Sequence, residues 1–176
     1  RNVVARLPGR KKESLLLNAH YDSPVEANGG TDNGIGTAAA FEVMRALAAS
    51  PQLAWSVVLN LNGGEEAGSG GAAGFLQHRF AKDVRAFIDT DGSGGGKANL
   101  LAASAQVPAL LRAYARAVRS PQATIFGNDF VQSGLTQVSG DFEPLSRAGL
   151  PLGALAAALA ALIGAGSDLS EATSER

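Results

Sequence analysis

Three apolar runs in this chain stop at acidic or imidazole side chains, and no other feature restricts the fold as tightly. Residues 14–19 lead into His20-Tyr21-Asp22, residues 55–61 into Gly64-Glu65-Glu66, and residues 84–88 into Asp91. Each run has the length and apolar continuity of a buried β-strand. A fourth acidic position, Asp32-Asn33, stands just before a helical stretch. In an open α/β sheet the loops after the strands converge at one edge, so these groups are expected together there.

The rest of the chain fits such a sheet. Residues 2–7 and 14–19 read as strands joined by the Pro8-Gly9 turn, a predicted hairpin. Asp32 or Asn33 can cap a helix over residues 34–49, which Ser50-Pro51 stops. Further helices are expected over residues 70–80 and 108–118, and a short strand over 98–102. Alternating strands and helices predict a three-layer α/β/α sandwich with a mixed, mainly parallel sheet. With 176 residues, one domain is expected. A net charge of −1 gives no reason to expect a nucleic-acid partner, and the absence of cysteine excludes thiolate ligands and a thiol nucleophile. The chain opens on Arg1 without a targeting segment, so it reads as a fragment of something longer.

Individually the acidic signals have ordinary readings: a surface His20 beside a solvated Asp22, Asp32 as a helix cap, Asp91 in an Asx-turn. Glu65-Glu66 is harder to explain so, because adjacent carboxylates in a glycine-rich turn repel unless a cation lies between them. Strand alternation puts His20 and Asp22 on one side, with His20 on a metal and Asp22 accepting the other ring N–H. Carboxylates with an imidazole suit one or two borderline-hard cations such as zinc. Gly68-Ser69-Gly70-Gly71-Ala72-Ala73 is a loose dinucleotide-binding pattern, but Glu65 and Glu66 would face the pyrophosphate. A P-loop fails because Ala98 follows Lys97 where a hydroxyl is required.

In order along the chain, these segments resemble the co-catalytic zinc exopeptidases of the aminopeptidase Y and bacterial leucyl aminopeptidase type. They are most similar to the endoplasmic reticulum metallopeptidase branch. Residues 2–9 match the lead-in, and residues 17–23, 31–34, 61–66 and 87–91 match the four acidic motifs. Gln132-Ser133-Gly134 and Asp141-Phe142 resemble downstream segments. The resemblance implies His20 and Asp91 on one zinc, Asp32 bridging two, Glu66 on the second, and a cis Asp32–Asn33 peptide. It implies Glu65 as general base, taking a proton from zinc-bound water, with Asp22 behind His20. The implied substrate is a peptide with a free N-terminus. The implied location is the endoplasmic reticulum or another endomembrane lumen, with any membrane attachment supplied by other parts of a parent chain.

The family's last ligand, a histidine, has no match after His78, the second of two histidines. The first metal site is then complete and the second is not. The expected fold is C-terminally incomplete, with an aminopeptidase-like domain over residues 1–152 and a divergent Ala/Leu-rich tail over 153–176. Leu152, Leu155, Leu159 and Leu162 at helical spacing make that tail helical or disordered. Residues 148–166 carry no charge but are too rich in Ala and Gly for a convincing membrane span. The competing expectation is a catalytically inactive peptidase fold serving as a binding or structural module.

Overall fold

The computed structural model describes residues 1–51, 53–92, 108–123, 133 and 140–150. The expected strand at 98–102 and the tail beyond residue 150 lie outside them. The elements are β1 (Val3–Leu7), β2 (Lys11–His20), α1 (Ile35–Ala48), β3 (Trp55–Asn62), α2 (Gly70–Phe75), β4 (Val84–Asp89), α3 (Pro108–Ala117) and α4 (Phe142–Arg147). Strand order is β1-β3-β2-β4, with β1 antiparallel to β3, and β2 parallel to both β3 and β4. The sheet is therefore mixed and mainly parallel, as expected.

The predicted hairpin does not form, because β3 lies between β1 and β2. From Ser14 to His20 every residue of β2 is buried, so this strand needs neighbours on both edges and takes an interior place. Half-exposed β1 is left at the margin of the described sheet. The connection passes across the start of β3, where the Arg10 and Lys11 amides donate to the carbonyls of Leu53 and Ala54 at 2.9 and 3.0 Å. Helix α2 also stops earlier than its sequence suggests, giving way to turns at Gln77 and His78.

Alternate residues of the strands feed two separate cores. Leu15, Leu17, Val57, Leu59 and Ile88 pack under Val43, Met44 and Leu47 of α1, joined by Tyr114 of α3. Leu16, Val58 and Phe87 pack on the opposite face with Ala72 and Phe75 of α2 and Leu145 of α4. Both faces are thus covered by helices, which gives the three layers. On the second face the apolar residues occupy only the middle of each strand. Two residues further on come Asn18, Asn60 and Asp89, in register with one another and all buried. Two further still come His20, Asn62 and Asp91.

Phe87 is fully buried, and its ring meets that of Phe142 at 5.7 Å between centroids. Phe87→Ala is expected to cost about 3–5 kcal/mol, measured by urea unfolding. Phe41→Ala, at a residue 56% exposed, should stay within about 0.5 kcal/mol of the parent.

Candidate metal centre

The strand ends bring the predicted side chains together. His20 Nε2 lies 3.2 Å from Asp32 Oδ1 and 3.2 Å from Asp91 Oδ1. His20, Asp32 and Asp91 form one potential ligand group, and His20, Glu65 and Glu66 form another, each with donor atoms within 4.8 Å of one another. His78 stays away from both, packed between Phe75 and Phe80 with ring centroids at 6.1 and 4.9 Å.

The other ring nitrogen fixes the orientation of His20. Its Nδ1 meets the backbone carbonyl of Asp22 at 3.0 Å, and a carbonyl only accepts, so Nδ1 carries the proton and Nε2 faces the carboxylates. The Asp22 carboxylate stands further off, at 3.6 Å, and accepts instead from the backbone amide of Glu65 at 3.3 Å. Asp22 therefore ties the ring of His20 to the loop that carries Glu65. Gly64, at φ +89°, takes the left-handed turn into that loop, where a side chain would be strained.

Asp32 is held by its neighbours. The Asp32–Asn33 peptide is cis. The side chain of Asn33, not of Asp32, caps α1, its Oδ1 accepting from the Gly36 amide at 3.1 Å. Its Nδ2 donates to the Thr90 carbonyl at 2.6 Å, fastening the start of α1 to the end of β4. Thr37 Oγ1 donates to the His20 carbonyl at 2.7 Å. Gly92 lies so close to the Asp32 loop that a Cβ there would collide with the Thr31 carbonyl oxygen.

Charge in this cluster is unbalanced. Burial opposes the charged form of His20, yet its hydrogen bond to Asp91 and the charges of Asp91 and Glu65 hold its pKa up at about 9. Glu65 is pushed up to about 7 by burial, with Asp91, Asp141 and Glu66 adding to the effect and His20 opposing it. Asp32 and Glu66 are raised too, by burial first and then by neighbouring carboxylates. Mutual repulsion of this kind is what a divalent cation relieves. The donor chemistry fits zinc: one imidazole nitrogen and two carboxylate oxygens, with nitrogen–oxygen separations of 3.2 Å. Ligands about 2.0 Å from a tetrahedral zinc stand about 3.3 Å apart.

Behind the candidate ligands lies a layer of polar side chains that the run of strand-end acids does not foretell. Asn18 Nδ2 donates to Asp89 Oδ1 and to Asp141 Oδ2, both at 2.8 Å, while Asn18 Oδ1 accepts from Asn60 and Asn62 at 2.7 and 3.2 Å. Thr90 adds a backbone bond to the Asn18 carbonyl at 2.9 Å. The signal was available as a period of two: Leu16-Asn18-His20, Val58-Asn60-Asn62 and Phe87-Asp89-Asp91 each pass from apolar to polar to the site.

The shifts set the pH response of the metal-free chain. A histidine raised from 6.5 to about 9 contributes stability in full below about pH 6.5 and loses it as pH climbs through 9. A glutamate raised from 4.5 to about 7 contributes stability below about pH 4.5 and loses it through 7. Both signs agree, so the melting temperature without metal should fall between pH 5 and 9, and Glu65→Gln should remove the lower part of that fall. Zinc requires the neutral imidazole, so its affinity should rise roughly tenfold per pH unit from about 7 to 9, by chelator competition. Gly92→Ala, which pushes on the Asp32 loop, should weaken zinc binding by about tenfold or more in the same assay.

Comparisons with known proteins identify the family and the fold. The family model described as Peptidase family M28 matches residues 2–170. Endoplasmic reticulum metallopeptidase 1 of Rattus norvegicus is 36% identical over 147 residues, covering 81% of this chain and 16% of the relative. The vacuolar membrane protease of Schizosaccharomyces pombe is 34% identical over 144 residues, covering 80% of this chain and 17% of the relative. The chain thus spans about one sixth of the length of these relatives. A zinc aminopeptidase from Bacillus subtilis has the same fold, with a TM-score of 0.66 and 21% identity over 88% of this chain and 38% of that one. No helix among the described residues is long and apolar enough to cross a membrane. Because the family match takes in nearly all of its 176 residues, the chain belongs to peptidase family M28.

Proposed function

We propose that this chain is the metal-binding part of a zinc-dependent exopeptidase that removes N-terminal residues from peptides. The observation that carries the reading is the meeting of His20 Nε2 with Asp32 and Asp91 at 3.2 Å, with the carboxyl of Glu65 in the same cluster. His20, Asp32 and Asp91 hold one zinc, and Glu66 offers a weaker position for a second. Bound zinc supplies Lewis-acid chemistry, polarising a carbonyl and lowering the pKa of a coordinated water towards about 7.

The remaining work falls to the chain's own groups. Glu65 takes a proton from the attacking water and passes it to the departing amine, and its pKa near 7 suits both transfers at neutral pH. Asp22 holds the His20 ring in one tautomer through its carbonyl and steadies Glu65 through its carboxylate. Glu66, Asp32 and Glu65 lie close around His20, a cluster of carboxylates suited to the ammonium of a free N-terminus. The relatives named for the endoplasmic reticulum and the vacuolar membrane support an endomembrane location for the parent protein.

One observation favours a second reading, a peptidase fold used only for binding. Among the described residues His20 is the only imidazole at the site, because His78 packs against Phe75 and Phe80. Zinc content and activity separate the two. The parent chain should retain zinc after desalting, and His20→Ala should lose it. Glu65→Gln should keep zinc but hydrolyse an aminoacyl amide about 10²–10⁴-fold more slowly, and an N-acetylated substrate should resist the parent. A zinc-loaded parent that cleaves no free-amine substrate would establish the binding module instead.

A further inference from the structure

Asp141 is only 1% exposed yet belongs to neither the ligand set nor the general base. Its Oδ2 accepts from Asn18 Nδ2 at 2.8 Å and from Asn62 Nδ2 in a second, short bond. Those two residues stand directly behind the site: Asn18 is two before His20 on β2, and Asn62 is three before Glu65 at the end of β3. Asn18 Nδ2 also donates to Asp89, two before Asp91. The residue preceding Asp141 is Gly140, buried against the site itself. A Cβ on Gly140 would lie 3.5 Å from Glu65 Oε1 and 3.6 Å from Asp91 Oδ2.

We infer that Asp141 is a positioning residue, which through Asn18 and Asn62 ties together the strand ends beside the site and so fixes the general base relative to the metal ligands. This rests on the metallopeptidase reading above. The carboxylate reaches the three parallel strands through two amides, so a single side chain registers the strand ends that carry His20, Glu65 and Asp91. A Cβ at Gly140 would meet these carboxylates only at ordinary van der Waals distance, so the segment that Asp141 anchors borders the site. Phe142 anchors the other side of the segment against Phe87.

Asp141→Leu removes both acceptors and orphans two buried amide donors, whereas Asp141→Asn keeps one oxygen to receive them. Three readouts on the full chain decide the matter: zinc affinity by chelator competition, the visible spectrum of the cobalt(II)-substituted chain, and kcat against KM. D141L is expected to weaken zinc about 10–100-fold, alter the cobalt spectrum, and lower kcat with KM little changed. D141N should restore all three to within about threefold of the parent, the loss expected when a hydrogen-bond network is kept. A folded D141L with parental zinc affinity and cobalt spectrum would overturn the role of Asp141. So would a D141N as impaired as D141L, because charge and not bonding would then be responsible. Should D141L fail to fold, Asn62→Ala withdraws one donor and is read by the same three measurements: weakened zinc and an altered spectrum uphold the role, parental values overturn it. A parent chain that takes up no zinc would sink the metal-site reading itself, an outcome distinct from a zinc-loaded parent with an indifferent D141L.

Discussion

The side-chain amide of Asn18 is the point on which the site end of the sheet depends. It stands where three parallel strands meet, wholly buried, and all its hydrogen-bonding capacity is used: two N–H donors to Asp89 and Asp141, two lone pairs to Asn60 and Asn62. A buried donor or acceptor left without a partner costs about 1–3 kcal/mol. Any slip in the register of β2 against β3 or β4 would therefore break several such bonds at once. The same pairing that satisfies Asn18 brings His20, Asn62 and Asp91 level with one another. Strand register and metal geometry are consequently one constraint.

Much of this was legible in the residues, and the parts that were not share a cause. Strands β2, β3 and β4 and helix α1 were readable because burial imposes apolar runs and helical spacing on the sequence. The ligand candidates were readable only together: each has an ordinary reading alone, but His20, Asp32, Glu65-Glu66 and Asp91 in order, three of them after apolar runs, match one family's motifs. Which strands are neighbours was not readable. Apolarity reports that β2 is buried on both faces but not that β3 intervenes between β1 and β2, a matter of long-range pairing that the Pro8-Gly9 turn contradicts locally. Helix α2 was overestimated because Leu76 and Phe80 extend its apolar pattern, whereas Phe80 instead packs under the Arg6 and Arg79 guanidinium groups. The Asn18 layer was missed since amides inside an apolar run look like interruptions until every second residue is compared across strands.

The charge of the site has to be seen against that of the whole. The chain is nearly neutral, at −1, yet carboxylates crowd around one imidazole, and burial and repulsion push Asp32, Glu65 and Glu66 towards their protonated forms. Such crowding is destabilising for a protein that never meets a cation. The surrounding bonds keep these groups from relaxing apart: Asn33 to Thr90, Thr37 to the His20 carbonyl, Asp22 to the Glu65 amide. A fold that holds like charges together against their repulsion has a preorganised place for positive charge, and in the metal-site reading the stability it forgoes would reappear as affinity for the ion.

The choice of asparagine behind the candidate ligands then has a physical reason. Hydrocarbon at positions 18 and 62 would take from buried Asp89 and Asp141 the amide donors that reach them, a costly loss for a carboxylate. Acids at those positions would add charge to a region whose carboxylates are already raised by burial and by one another. Lysine or arginine would supply donors but compete with the metal for the same negative groups. An amide both donates and accepts, carries no charge, and matches the spacing of adjacent parallel strands. It is the group that can join Asp89, Asp141 and the β3 strand end in one network while leaving the negative charge in front of it for the cation.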